Sequence, residues 1–273
     1  MSVPFLITSL QNQRIKNVVK LRQRTDRDKQ GLMLIEGYRE LKRAIDNNHI
    51  PLEVFFCPKL FLGKNENTLL SMCQERGSRL IECSPEVFQK IAYRDRPEGL
   101  LAVARQIKAS LTDLNLQSNA LLVVAESIEK PGNLGTILRS ADAAGVTAVI
   151  VCDKCTDINN PNVVRASIGT IFSVKVVESS STETVTWLHK NNIQIFCASP
   201  HAQKLYTDAD YTKSTAIVLG TEKFGLSNIW LSENTNAHRI RIPMAGQADS
   251  LNVAAAATIL LFEAVRQRSL LNQ

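Results

Sequence analysis

The chain has 273 residues and a formal net charge of +6, long enough to prefer two cores over one. Of its 32 basic and 26 acidic residues, 18 and 12 lie within residues 1–106, so the whole positive excess belongs to that part. No apolar run reaches the roughly 18 residues that a membrane-spanning helix needs, which excludes that class and reads as a soluble, cytoplasmic protein.

A basic amphipathic helix is predicted over Gln11–Lys29. The first 25 residues lack acids and superficially look like an organelle transit peptide, but Ile15, Val18 and Val19 form an apolar stripe that favours a structural helix. Its cations Arg14, Lys16, Lys20, Arg22 and Arg24, with Arg27 and Lys29, read as a surface for tracking phosphates; the other reading is a basic face that serves solubility alone. Beyond it, strands at Gly31–Ile35, Leu52–Cys57, Arg79–Cys83 and Gly99–Ala104 alternate with helices at Tyr38–Asp46, Glu66–Arg76 and Pro85–Ala92. Residues 1–106 thus make a small α/β domain whose positive excess either suits a polyanion or serves solubility alone. Residues 107–119 are polar and aperiodic and read as a linker.

The same alternation fills residues 120–273. Strands are expected at Leu121–Ala125, Ala148–Cys152, Val174–Val177, Gln194–Ala198, Ala216–Leu219 and Arg239–Ile242. Helices fall at Leu134–Ala144, near Val163, at Thr182–Asn191 and at Ser250–Arg268. Such a chain builds a parallel sheet covered on both faces.

Six cysteines sit mostly in apolar runs, as buried reduced thiols do. Cys152 and Cys155 form one CxxC, but no second pair or nearby histidines complete a tetrahedral set, so no metal is expected.

Three motifs fall where strands end, the place where open α/β sheets bind ligands. The first, PGNLGTILRSADAAG from Pro131, carries Asn133 and places Arg139 on the first turns of a helix. A guanidinium there either grips a phosphate bidentately or pairs with Asp142 one turn on. The second, VLGTEKFG from Val218, has neither a GxGxxG nor a GxxxxGK[ST] pattern, which argues against ordinary dinucleotide or triphosphate binding. Gly220 there lets backbone approach a ligand closely, and Glu222 is a candidate site carboxylate. The third, IPMAGQADSLNVAAAA from Ile242, closes the last strand and opens the final helix, with Asp249, Ser250 and Asn252 in its cap region.

Together these motifs closely resemble the SpoU/TrmH family of SPOUT-class RNA 2'-O-ribose methyltransferases, over roughly the last 155 residues. The resemblance implies a SPOUT domain with a deep trefoil knot, preceded by a ribosomal-protein-like RNA-binding domain. It implies S-adenosylmethionine as cofactor, RNA as substrate with ribosomal RNA favoured over transfer RNA, and a homodimer through the knotted domain. The catalytic set it implies is Asn133, Arg139, Glu222, Ser250 and Asn252; Leu219, Gly220, Ile242, Met244 and Leu251 would face the cofactor. Arg139 would either act as base or orient the hydroxyl and neutralise phosphate; free arginine stays protonated. A binding-only ribosome-assembly factor is the alternative that keeps the fold without turnover.

Overall fold

The computed structural model describes residues 5–221 and 223–271; Glu222, a candidate site residue, lies outside them. The chain forms two compact units. One runs to Ile107 and takes in Asp157–Ser173; the other holds Lys108–Thr156 and the residues from Val174 onward.

The first unit opens with β1 (Phe5–Ile7), α1 (Gln13–Lys20) and α2 (Arg24–Gln30), then β2 (Leu32–Glu36), α3 (Tyr38–Asp46) and β3 (Glu53–Phe56). It continues with α4 (Glu66–Glu75), β4 (Arg79–Cys83), α5 (Pro85–Ile91) and β5 (Leu100–Arg105). The five strands form one mixed sheet in the order β1-β4-β3-β5-β2. β5 runs antiparallel to β2 and β3, whereas β4 is parallel to β1 and β3.

The single helix expected over Gln11–Lys29 is two. Asn12 caps α1 through Arg14 N, and Ile15 and Val18 point into the core as the stripe demands. The helix stops because Leu21 is drawn fully into that core and Gln23 is extended. α2 restarts beyond it and ends on Gly31 in the left-handed region, where glycine carries no steric penalty.

In the second unit, β6 (Leu121–Glu126) leads to α6 (Pro131–Ala143) and β7 (Ala148–Cys152). Helix α7 (Pro161–Ala166) belongs to the first unit. Then come β8 (Lys175–Ser179), α8 (Ser181–Lys190), β9 (Gln194–Ala198), β10 (Lys204–Leu205), β11 (Thr215–Leu219), α9 (Asn228–Leu231), β12 (His238–Arg241) and α10 (Val253–Leu270). All seven strands are parallel, in the order β10-β12-β9-β11-β6-β7-β8. Every residue of β6, β7 and β11 is buried, which is why these strands read as unbroken apolar runs.

Two helix starts differ from the sequence expectation. α6 begins at Pro131, three residues early, because the first helical position needs no N–H. α10 begins at Val253, since Asn252 rather than Ser250 is the cap and accepts from Ala254 N at 3.0 Å. No helix of the described residues is long and apolar enough to cross a membrane.

Candidate active site

The sheet order reverses beside β6: the chain leaves it for β7 on one side, while β11 lies on the other. Loops after β6 and β11 therefore diverge and open a crevice above the strand ends. Lys130 from the first loop, Asn133 from the first turn of α6, and Thr221 and Lys223 from the second loop line a cleft of about 160 Å³ there. It shares Thr221, Lys223 and Val253 with a larger cleft of about 420 Å³ over the ends of β9, β11 and β12.

All five residues expected to face the cofactor line the larger cleft: Leu219, Gly220, Ile242, Met244 and Leu251. Ser250 lines it too, exposed at its edge. The walls are largely apolar and the size suits a small-molecule site. Gly220 also has a role within its own loop. A Cβ on it would fall on the carbonyl of Gly225 and 2.7 Å from Leu226 N. Its missing side chain thus lets the loop fold onto itself, with Thr221 N donating to Gly225 O at 2.9 Å and Gly225 N to Thr221 O at 3.1 Å.

Asn133 and Asn252 meet although 119 residues separate them: Asn252 Nδ2 donates to Asn133 Oδ1 at 3.1 Å. Because Asn252 Oδ1 also accepts from the backbone of α10, the orientation of its amide is fixed from both ends. Seven residues along α6, Ser140 shares a 2.7 Å hydrogen bond with Thr258, so α6 and α10 are fastened side by side at two points. Arg139 is not brought into this constellation. It is exposed on α6, lines neither cleft, and no ion pair among the described residues joins it to Asp142.

Glu126 was not singled out from the sequence. It ends β6 at 3% exposure and accepts from Ser181 Oγ at 3.0 Å, Ser227 N at 2.9 Å and Ser227 Oγ at 2.5 Å. Ser181 in turn receives Trp230 Nε1 at 3.2 Å. One carboxylate thereby ties the exit of the 221–225 loop to the starts of α8 and α9, with neutral donors meeting its need for partners. An acid closing the run LLVVAE was the available signal.

Cys152 shares a hydrogen bond with Thr184 at 3.1 Å, and burial pushes its thiol up to about 12; Cys155 is exposed. Among the described residues, no group of three or more His, Cys, Asp or Glu side chains could hold a metal ion.

In the first unit, three of the cations expected to track phosphates, Arg14, Arg22 and Arg27, are engaged by the protein itself. Arg14 pairs with Glu53, and Arg22 donates to the carbonyls of Lys90 and Ala92 at 2.8 and 2.6 Å, capping the end of α5. Arg27 is buried against Asp157. Lys16, Lys20 and Arg24 remain exposed, Arg24 in a solvated pair with Asp28. The same unit carries a cleft of about 900 Å³ whose exposed Arg39, Lys64, Arg96 and Arg165 make no ion pair or side-chain hydrogen bond among the described residues. Three of the acids beside them are already used: Arg94 holds Glu40 at 2.5 Å and also Glu98, and Glu66 accepts from Gly63 N at 2.7 Å; Asp95 lines the cleft as well.

Known proteins match both units. Residues 12–102 match the MRM3-like substrate binding domain, and residues 120–262 match the SpoU rRNA Methylase family. The 23S rRNA (uridine(2479)-2'-O)-methyltransferase of Streptomyces viridochromogenes is 31% identical over 90% of this chain and 86% of its own length. A crystal structure of an RNA 2'-O ribose methyltransferase superposes with a TM-score of 0.85 at 39% identity, covering 97% of this chain and all of that one. The AdoMet-bound rRNA methyltransferase of Sinorhizobium meliloti gives 0.86 at 29% identity, covering 96% and 97%. On these matches, this chain belongs to the SpoU rRNA methylase family of RNA 2'-O-methyltransferases.

Proposed function

We propose that this protein transfers the methyl group of S-adenosylmethionine to a ribose 2'-hydroxyl of ribosomal RNA. The observation that carries this reading is the meeting of an apolar cleft, floored by Leu219 and walled by Ile242, Met244 and Leu251, with the Asn133–Asn252 amide pair next to it. Apolar walls suit an adenosine, and the backbone around Gly220 offers hydrogen-bonding groups to its polar edge. When bound, the donor would supply a methyl carbon on a sulfonium leaving group: as the ribose O–C bond forms, the S–C bond breaks, S-adenosylhomocysteine leaves, and the hydroxyl proton passes to a basic group or water. The chain's own task is alignment of the hydroxyl and stabilisation of the charge that develops on its oxygen. Asn133 and Asn252 are suited to this because each fixes the other's orientation.

The protein acts as a homodimer through a knotted second unit. Small side chains at the start of α10, with Ala254 and Ala257 at 2% and 0% exposure, suit close passage of a neighbouring segment. Arg139, exposed and outside both clefts, neutralises a substrate phosphate in the site of the second copy. RNA is gripped by the first unit, where Arg39, Lys64, Arg96 and Arg165 surround a concave surface and make no ion pair among the described residues.

Titration calorimetry with S-adenosylmethionine, followed by mapping of 2'-O-methyl groups across ribosomal RNA from a deletion strain, tests this reading. It requires donor binding and one missing methyl group that the purified protein restores. An unchanged map, or methyl loss confined to transfer RNA, would overturn it.

A further inference from the structure

Phe224 is 75% exposed although its backbone is held by hydrogen bonds. Thr221 and Gly225 pair in both directions across the 221–225 loop, and Thr221 Oγ1 accepts from Phe224 N at 2.9 Å. The ring therefore stands in water on a defined support. Lys223 Nζ lies 4.9 Å from its centroid, a cation–π contact on one face that leaves the other open. Both side chains line the larger cleft, and Lys223 also lines the smaller one with Asn133.

A flat ring at a cleft mouth with an ammonium against one face offers the other face for stacking. Its flatness, the ammonium on its back and the reach of Lys223 into the smaller cleft that Asn133 lines select the occupant. We propose that Phe224 is the stacking platform for an unpaired nucleobase of the substrate RNA, at or next to the methylated nucleotide, with Lys223 drawing in the adjoining phosphate. RNA bases splayed from loops and bulges are held by such rings, and an ammonium strengthens the contact while adding salt dependence. This inference rests on the RNA methyl-transfer reading and adds that the target is locally single-stranded.

The test compares Phe224→Ala, Phe224→Leu and Phe224→Tyr with wild type, using ribosomal RNA purified from a strain lacking the protein. Methyl transfer kinetics are measured together with S-adenosylmethionine affinity and oligomeric state. Phe224→Ala should raise the KM for RNA about tenfold or more, the scale of one lost base stack, with kcat and donor affinity within about twofold. Phe224→Tyr should restore wild-type behaviour, and Phe224→Leu, apolar without a π face, should not. Leu rescuing as well as Tyr, loss of donor affinity, a changed oligomeric state, or an unchanged KM would each overturn the stacking role. Absence of transfer by the wild type would instead remove the parent reading and this inference with it.

Discussion

Arg27 reaches Asp157 across 130 residues of sequence, with Nε and Nη2 at 3.1 and 2.5 Å from Oδ2, and both side chains are almost wholly buried. Nη1 of the same guanidinium is taken up by the carbonyls of Leu21 and Arg22, at 3.0 and 2.8 Å. The pair secures α2 and the Asp157–Ser173 segment within one core. Removing one partner strands a buried charge, so Asp157→Asn should lower the unfolding free energy of this unit by about 3–5 kcal/mol in urea titrations. Donor affinity should be unchanged, and a loss below about 1 kcal/mol would show that water reaches the pair.

Glu126→Gln places an amide where Ser227 N and two hydroxyls donate. The hydroxyls can turn round, but the backbone N–H of Ser227 cannot. Donor affinity should fall about tenfold by calorimetry while stability drops by about 1–3 kcal/mol. A double-mutant cycle with Ser227→Ala should be strongly non-additive, because both changes act on one contact.

Gly220→Ala should weaken donor binding by more than tenfold, since its methyl group would require the carbonyl of Gly225 to move and the 221–225 loop with it. Gly132→Ala is the matching control: it sits in α6 with open space around its Cβ position. Replacing glycine with alanine inside a helix should there add about 0.5–1 kcal/mol of stability.

Arg139→Ala should abolish transfer yet leave donor binding within about twofold of wild type. Mixed with Ile242→Arg subunits, which carry a charge into the donor cleft, it should regain activity near the statistical fraction of mixed dimers. No recovery, with mixed dimers verified by mass spectrometry, would place Arg139 in the site of its own subunit.

Burial raises the carboxyl of Glu40 above its ordinary value of 4.5, with Arg94 opposing the shift. The folded state therefore holds this proton more tightly than the unfolded state, and the contribution to stability grows as pH falls from neutrality towards 4.5. Glu40→Gln removes that dependence. Relative to wild type, the variant should gain stability as pH rises from about 4.5 to 8 in denaturation series, while Glu36, also raised by burial, behaves alike in both proteins.

The alternation of strands and helices was legible because parallel strands buried on both faces leave apolar runs, whereas the five residues found lining the larger cleft were named through the motifs' resemblance to a known family. What escaped depends on tertiary partners. β1 is a three-residue edge strand with Phe5 and Leu6 exposed, too short to impose a period. The break between α1 and α2 comes from Leu21 being drawn into the core, and Arg27 looked like a surface cation because its partner lies 130 residues on. Asn133 and Asn252 were named individually, but their direct contact required the side-by-side fastening of α6 and α10. The cations around the large cleft of the first unit come from four separate stretches, so no window of sequence shows them together.

The grouping of Asp157–Ser173 with the residues before Lys108 also changes what proteolysis can release. Cutting anywhere in 107–119 yields two polypeptides, yet the second still contributes Ile158, Val163 and Val164, all at most 1% exposed, to the fold of the first. The nicked halves should therefore co-purify under native conditions and part only in denaturant. Exchange of N-terminal regions between relatives calls for a chimera that carries this internal segment along with the first hundred residues.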